Sequence, residues 1–159
     1  ETCETMNDSW GFNINDRNYK SVKQLVQYLV NAAGRNANFL LNIGPMPNGA
    51  IQTEFTDTLK GMGDWLRKYG ESVYGTRGKI IEPQEWGVVT GKDKKIFVHV
   101  LHPVSNQPYI FLPGLKNKVT TTVIMNDNKT VSFKQQPEGV FIYTSGISWN
   151  DTDTIILLQ

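Results

Sequence analysis

The chain has 159 residues, a formal net charge of +1, 39% hydrophobic and 19% charged residues. That is enough apolar content for a packed core and too much for a disordered tail. The near-zero charge gives no reason to expect a nucleic-acid partner, and no apolar stretch is long enough to span a bilayer. A single cysteine, Cys3, excludes an internal disulfide and a cysteine-based zinc cluster. The chain begins Glu1-Thr2-Cys3-Glu4, without an initiator Met or a leader. This pattern suggests the tail of a longer polypeptide.

Residues 1–17 show no clear period. Asn7-Asp8-Ser9-Trp10-Gly11-Phe12-Asn13 mixes turn formers with two aromatics and reads as a long loop. Aromatics in a polar loop either line a site or fold inward and pin the loop. Residues 18–33 read as a helix, with Val22, Leu25, Val26, Leu29, Val30 and Ala33 forming one apolar stripe. Ser21 with Gln24 suggests a capping box, with Asp16 as a rival cap, and Gly34 suits the left-handed residue that ends a helix.

The stretch Asn38–Pro45 organises the rest. Four large apolar residues, interrupted by Asn42 and closed by Gly44-Pro45, read as a strand buried on both faces between two helices. Strands alternating with helices imply βαβ units and a parallel sheet. Such sheets place their chemistry at the C-terminal ends of the strands. Asn42 reads as a satisfied core amide. Gly44 either turns the chain or lets the backbone approach something closely. Residues 53–69 read as a second helix with Phe55, Leu59, Met62, Leu66 and Tyr69 on one face. Gly61 and Gly63 weaken that helix unless close packing needs them.

From Gly75 to Gly78 the pattern changes from helical to alternating, which places a boundary between residues 1–77 and residues 78–159. Beyond it the expected strands are Trp86–Thr90, Lys95–Leu101, Tyr109–Leu112, Val119–Met125, Thr130–Lys134, Val140–Tyr143 and Thr154–Leu158. In one of them Ile96, Val98 and Val100 face one way, and Phe97, His99 and Leu101 the other. Short strands at this spacing, joined by turn residues, predict an antiparallel sandwich.

Few residues advertise chemistry. His99 and His102, three apart on a strand, face opposite sides and make a poor metal pair. No metal or cofactor motif stands out. The carboxylates Glu1 and Glu4, beside a loop with Trp10, are compatible with glycoside hydrolysis. That reaction needs a proton donor at the glycosidic oxygen, and an aromatic platform suits the apolar face of a sugar.

Several segments carry a more specific signal. Glu1-Thr2-Cys3, Asn7–Asn13, Asn38–Pro45, Gly63-Asp64-Trp65-Leu66 and Gly70–Arg77 stand in this order. Together they resemble the C-terminal third of a family 29 α-L-fucosidase. The resemblance covers the first 77 residues by motif and the rest only by pattern. It implies an α/β plus all-β architecture: the last βα units of a TIM-like (β/α) barrel over 1–77, then an antiparallel β-sandwich over 78–159. It implies a retaining exo-α-L-fucosidase acting on fucosylated glycans or glycoconjugates, with no cofactor and no membrane or nucleic-acid partner. The remainder of the barrel would lie upstream of residue 1. The nucleophilic Asp would lie there too, and the isolated chain would be inactive. The family's acid/base Glu falls on Glu1, with Glu4 as second candidate, and Trp10 would line the fucose site. Phe12 stands where a Tyr is common in the family, which removes a hydroxyl. The family is secreted, periplasmic or lysosomal.

Two other readings compete. A non-catalytic carbohydrate-binding sandwich with a helical lead-in would need Trp86, Tyr109, Phe111 and Trp149 on one exposed face. A purely structural module would leave the ordered motifs of residues 1–77 unexplained.

Overall fold

The computed structural model describes residues 1–103 and 106–159. Its elements are β1 (Thr2–Thr5), α1 (Val22–Gly34), β2 (Phe39–Asn42), α2 (Thr53–Tyr69), a 3₁₀ turn at Gly70–Ser72, then β3 (Gly87–Lys92), β4 (Lys95–Val100), β5 (Tyr109–Pro113), β6 (Thr122–Ile124), β7 (Phe133–Gln136), β8 (Gly139–Tyr143) and β9 (Thr154–Leu158). Each of the strands expected after residue 78 is present, with ends moved by a few residues.

The first strand was not expected. Thr2-Cys3-Glu4-Thr5, read above as part of a loop, pairs in parallel with β2, Thr2 opposite Phe39 and Thr5 opposite Asn42. Its side chains are mostly polar, so hydrophobic alternation gave no sign of it. β2 is also less buried than its composition predicts: Leu40 is 51% exposed.

Helix α1 starts where its cap dictates. The Gln24 amide donates to Ser21 Oγ at 3.3 Å, and the Ser21 amide donates to Gln24 Oε1 at 2.8 Å. Asp16 takes no part. The C-terminal expectation is corrected too. Gly34 is the last helical residue, and Asn36 takes the left-handed conformation with φ of 58°. Gly34 is small for another reason: a Cβ there would lie 2.3 Å from Val88 Cβ, so it lets α1 lie directly on β3. Gly61 does the same between helices, since its Cβ would meet Val22 Cγ2 at 2.6 Å, whereas Gly63 faces open space apart from Arg67.

The remaining strands form two antiparallel sheets, of order β3-β4-β9-β6 and β5-β8-β7. The period of two in β4 is real. Ile96, Val98 and Val100 face the three-stranded sheet and join a core with Ile110, Leu112, Val140 and Ile142. Phe97 and Leu101 face the helices and join a core with Leu25, Val26, Phe55 and Met62. The four-stranded sheet is therefore the middle layer, covered on one side by helices and on the other by a second sheet. The segment Gly75–Lys79 is no free linker either. Arg77 pairs with Gly91, and the Lys79 amide donates to the Gly34 carbonyl at 2.8 Å.

Candidate functional site

The C-terminal ends of β1 and β2 lie side by side and lead into one loop cluster. Beyond Thr5, Met6 and Asn7 are buried. The Asn7 amide donates to Thr5 Oγ1 at 3.2 Å, and Lys20 Nζ donates to the Asn7 carbonyl at 2.7 Å. The loop that follows is ordered by Asp16. Its Oδ2 accepts from Ser9 Oγ at 2.7 Å and from the Asp8 amide at 3.1 Å, and its Oδ1 accepts from the Asn18 amide. The Ser9 bond comes first among the causes that hold the Asp16 carboxyl below its ordinary value.

Trp10 sits on this loop and is 62% exposed. It does not fold inward. Two contacts, from β2 and from the turn after it, fix the loop backbone at Trp10 and Gly11. Asn42 Nδ2 donates to the Trp10 carbonyl at 2.7 Å. Gly44 lies so close that a Cβ would be 2.5 Å from the Gly11 carbonyl carbon. Asn42 is thus a loop-positioning amide rather than a core one, and Gly44 is small for the loop's own backbone. Phe12 is half-buried beside it.

The two carboxylates are placed differently. Glu1 is exposed and precedes the first residue of β1. At about 3.3 Å per residue it lies roughly 13 Å from the Thr5 end of the strand. Glu4 is one residue from the C-terminal end and pairs with Lys20 at 3.3 Å. Burial pushes the Glu4 carboxyl up. The Thr5 amide, at 2.9 Å, and the Lys20 ammonium outweigh it together, and the net value is lowered. A carboxyl held ionised in this way is a poor proton donor.

Sequence reasoning missed one polar cluster. His99 is fully buried, and its Nδ1 lies 2.7 Å from Asp153 Oδ2. Its Nε2 lies 3.2 Å from Thr90 Oγ1 and 3.3 Å from the Ser72 carbonyl. Thr90 Oγ1 itself donates to that carbonyl at 2.6 Å, so both neighbours of Nε2 accept and Nε2 carries the hydrogen. Burial is the first cause acting on Asp153 and raises its pKa, with His99 opposing. Asp153 lies far from His99 in sequence, and no local pattern links them. His102 is exposed on the surface. Among the described residues no three His, Cys, Asp or Glu side chains gather as a metal site.

The aromatic row expected for a carbohydrate-binding sandwich is half present. Trp86 is buried and Trp149 packs against the sandwich core, while Tyr109 and Phe111 point outward.

A parallel βα unit with a loop cluster at its C-terminal end, packed on an antiparallel two-sheet domain, defines the class: an α/β unit with an attached β domain. A sequence profile described as Alpha-L-fucosidase matches residues 1–71. Human plasma α-L-fucosidase is 32% identical over 124 residues, 71% of this chain and 26% of the relative. Among solved structures, α-L-fucosidase isoenzyme 1 from Paenibacillus thiaminolyticus superposes with a TM-score of 0.84 at 32% identity, over 99% of this chain and 38% of that one. The Thermotoga maritima α-fucosidase in complex with fucose does so with a TM-score of 0.76 at 28% identity, over 99% of this chain and 39% of that one. The chain belongs to the α-L-fucosidase family and matches its C-terminal part. It spans between about a quarter and two fifths of these relatives.

Proposed function

We propose that the full-length protein carrying this chain is a retaining exo-α-L-fucosidase that removes terminal α-L-fucose from glycans or glycoconjugates. The observation that carries this reading is the ordered run of family segments over residues 1–71, lying on a parallel βα unit that presents Trp10 at its C-terminal end. In this reading residues 1–77 complete a (β/α) barrel and residues 78–159 form the trailing sandwich. A two-stranded parallel sheet with half-exposed Leu40 needs further strands beside it, which the upstream barrel would supply. The name of the human plasma relative supports an exported protein, whether secreted, periplasmic or lysosomal.

Retention requires two carboxyl groups about 5–5.5 Å apart, one as nucleophile and one as acid/base. The nucleophilic Asp is proposed upstream of residue 1. Glu1 is proposed as the acid/base, protonating the leaving oxygen and then deprotonating the attacking water. Trp10 is proposed to lie against the apolar face of fucose. In this reading Glu1 acts from the start of β1, while Glu4, one residue from its end, has its carboxyl lowered by the Thr5 amide and Lys20 against the opposing effect of burial.

The test uses Glu1→Gln and Glu4→Gln in the full-length protein. If Glu1 is the acid, Glu1→Gln lowers kcat/KM on a natural fucoside by about 10²–10⁴-fold. Its effect on an aryl fucoside with a very acidic leaving group is far smaller, because that oxygen needs little protonation. Equal losses on both substrates, or the selective loss in Glu4→Gln instead, move the role away from Glu1.

A further inference from the structure

The outer face of the three-stranded sheet plays no part in the site above. In β5 and β8, Ile110, Leu112, Val140 and Ile142 point into the core. Their alternates therefore point outward: Tyr109 pairs with Tyr143 and Phe111 with Phe141. Phe111 stacks on Phe141 with ring centroids 4.5 Å apart, and Tyr109 meets Phe141 edge-on at 5.2 Å. Tyr109 is 42% and Tyr143 38% exposed. Four clustered rings, two of them well exposed, form a compact aromatic patch on this face.

Its surroundings are polar but nearly uncharged. A cleft of about 340 Å³ beside Tyr109 and Phe111 is lined by Gln84 and Gln107 as well, within the range of small-ligand sites. Gln107 also borders the shallow depression that includes Tyr143 and Thr144, so the rings bridge two hollows. Glu85 lies on one side, and exposed Lys134, opposite Phe141 in the register, on the other. Among these residues, Glu85 and Lys134 carry one charge of each sign.

We propose that this face is a non-catalytic binding surface for neutral oligosaccharides, separate from the β1–β2 loop cluster. Exposed rings offer flat apolar area to the C–H face of a pyranose, and the tyrosine hydroxyls and amide side chains meet its hydroxyls. Area argues against a stable protein partner. At about 200 Å² per aromatic side chain, the four rings present roughly 200–300 Å², well under the ~800 Å² per partner of a stable interface. One charge of each sign likewise lacks the one-sided pattern that steers protein or nucleic-acid partners.

The surface is tested in the full-length protein with an iminocyclitol fucosidase inhibitor present in excess, so that an active site is blocked. Lactose, N-acetyllactosamine and 2′-fucosyllactose are titrated by calorimetry. At least one is expected to bind saturably, about tenfold more weakly in Tyr109→Ala/Tyr143→Ala, the loss expected when stacked rings are removed. Tyr109→Trp keeps a ring and retains binding, which separates stacking from folding. Hydrolysis of an aryl fucoside by the uninhibited protein stays unchanged in all variants, and absence of that activity in the wild type speaks only to the proposed function. No saturable binding of any of the three sugars, or equal binding by the double alanine variant, overturns the surface. So does a dimer in sedimentation that the double variant abolishes, which would make the face a contact between copies.

Discussion

The four-stranded sheet has two faces that solve burial in different ways. On the face toward β5, β8 and β7, Val98, Val100, Ile156 and Leu158 meet another sheet, and the buried polar side chains among them are the neutral hydroxyls of Thr122 and Thr154, each bonded to backbone. On the face toward α1 and α2, Val88, Phe97 and Ile155 share the layer with Thr90 and His99. The difference follows from what lies opposite. A sheet satisfies its own backbone groups. A chain leaving a helix does not, and the Ser72 carbonyl just past α2 is buried without a strand partner. Thr90 and His99 supply its donors, and Asp153 in turn holds His99. The buried ionisable pair of this sheet, His99 with Asp153, therefore sits where helix and sheet meet.

Neighbouring residues of β4 give the largest test of this contrast. His99→Ala leaves the Asp153 carboxyl buried without its partner, and Asp153 Oδ1 already has none. The expected cost is about 3–5 kcal/mol. Val98→Ala, on the sandwich face, removes two methyl groups and costs about 1–3 kcal/mol. Denaturant midpoints of the two variants compare the faces directly, and a cost for His99→Ala no larger than for Val98→Ala would remove the distinction.

Intermediate effects come from glycine on the helical side. Ala is favoured over Gly within a helix by up to about 1 kcal/mol. At Gly34 that gain is outweighed by contact with Val88 at 2.3 Å, and Gly34→Ala should lose about 1–3 kcal/mol as α1 is forced off β3. At Gly63 only Arg67 Nη1, at 3.7 Å, lies nearby, so Gly63→Ala should gain roughly 0.5–1 kcal/mol. Opposite shifts in Tm are expected, and shifts of the same sign would mean the helix–sheet spacing is not fixed by Gly34.

The smallest effect is a slope. Burial raises the folded-state pKa of Asp153 above the ordinary 3.8. The folded chain then holds this proton more tightly than the unfolded chain. The group's contribution to stability is complete below 3.8 and is lost as pH rises through the folded value. Asp153→Asn cannot titrate, and its amide can donate to His99 Nδ1. Wild-type stability should therefore fall relative to Asp153→Asn as pH increases. Parallel pH profiles would show that the carboxyl keeps an ordinary pKa in the fold.

How far the sequence foretold these features depended on the range of the signal. The period of two in residues 95–101 and the three-and-four spacing in residues 22–33 are local, and each element formed where its pattern lay. β1 escaped because parallel pairing with β2, not its own composition, makes Thr2–Thr5 a strand. Gly34 suggested a helix end, but its real constraint is a neighbour more than fifty residues on. The His99–Asp153 pair spans an equal distance along the chain. At the candidate site the motif order was legible, as was the presence of Trp10. That Glu1 precedes β1 and the loop carrying Trp10 follows it depends on where β1 starts and stops, which the motifs do not encode.

The strand order β3-β4-β9-β6 also governs the sequence of folding events. β9 pairs with β4 on one side and β6 on the other, yet it follows both along the chain. Until Thr154–Leu158 arrives, β4 and β6 each keep an unpaired edge, and β4 among them is rich in apolar residues. Hairpin β3–β4 can form early from local contacts, whereas the sheet closes only by inserting its middle strand last. The interval between those events is when this chain is most open to pairing with another copy of itself.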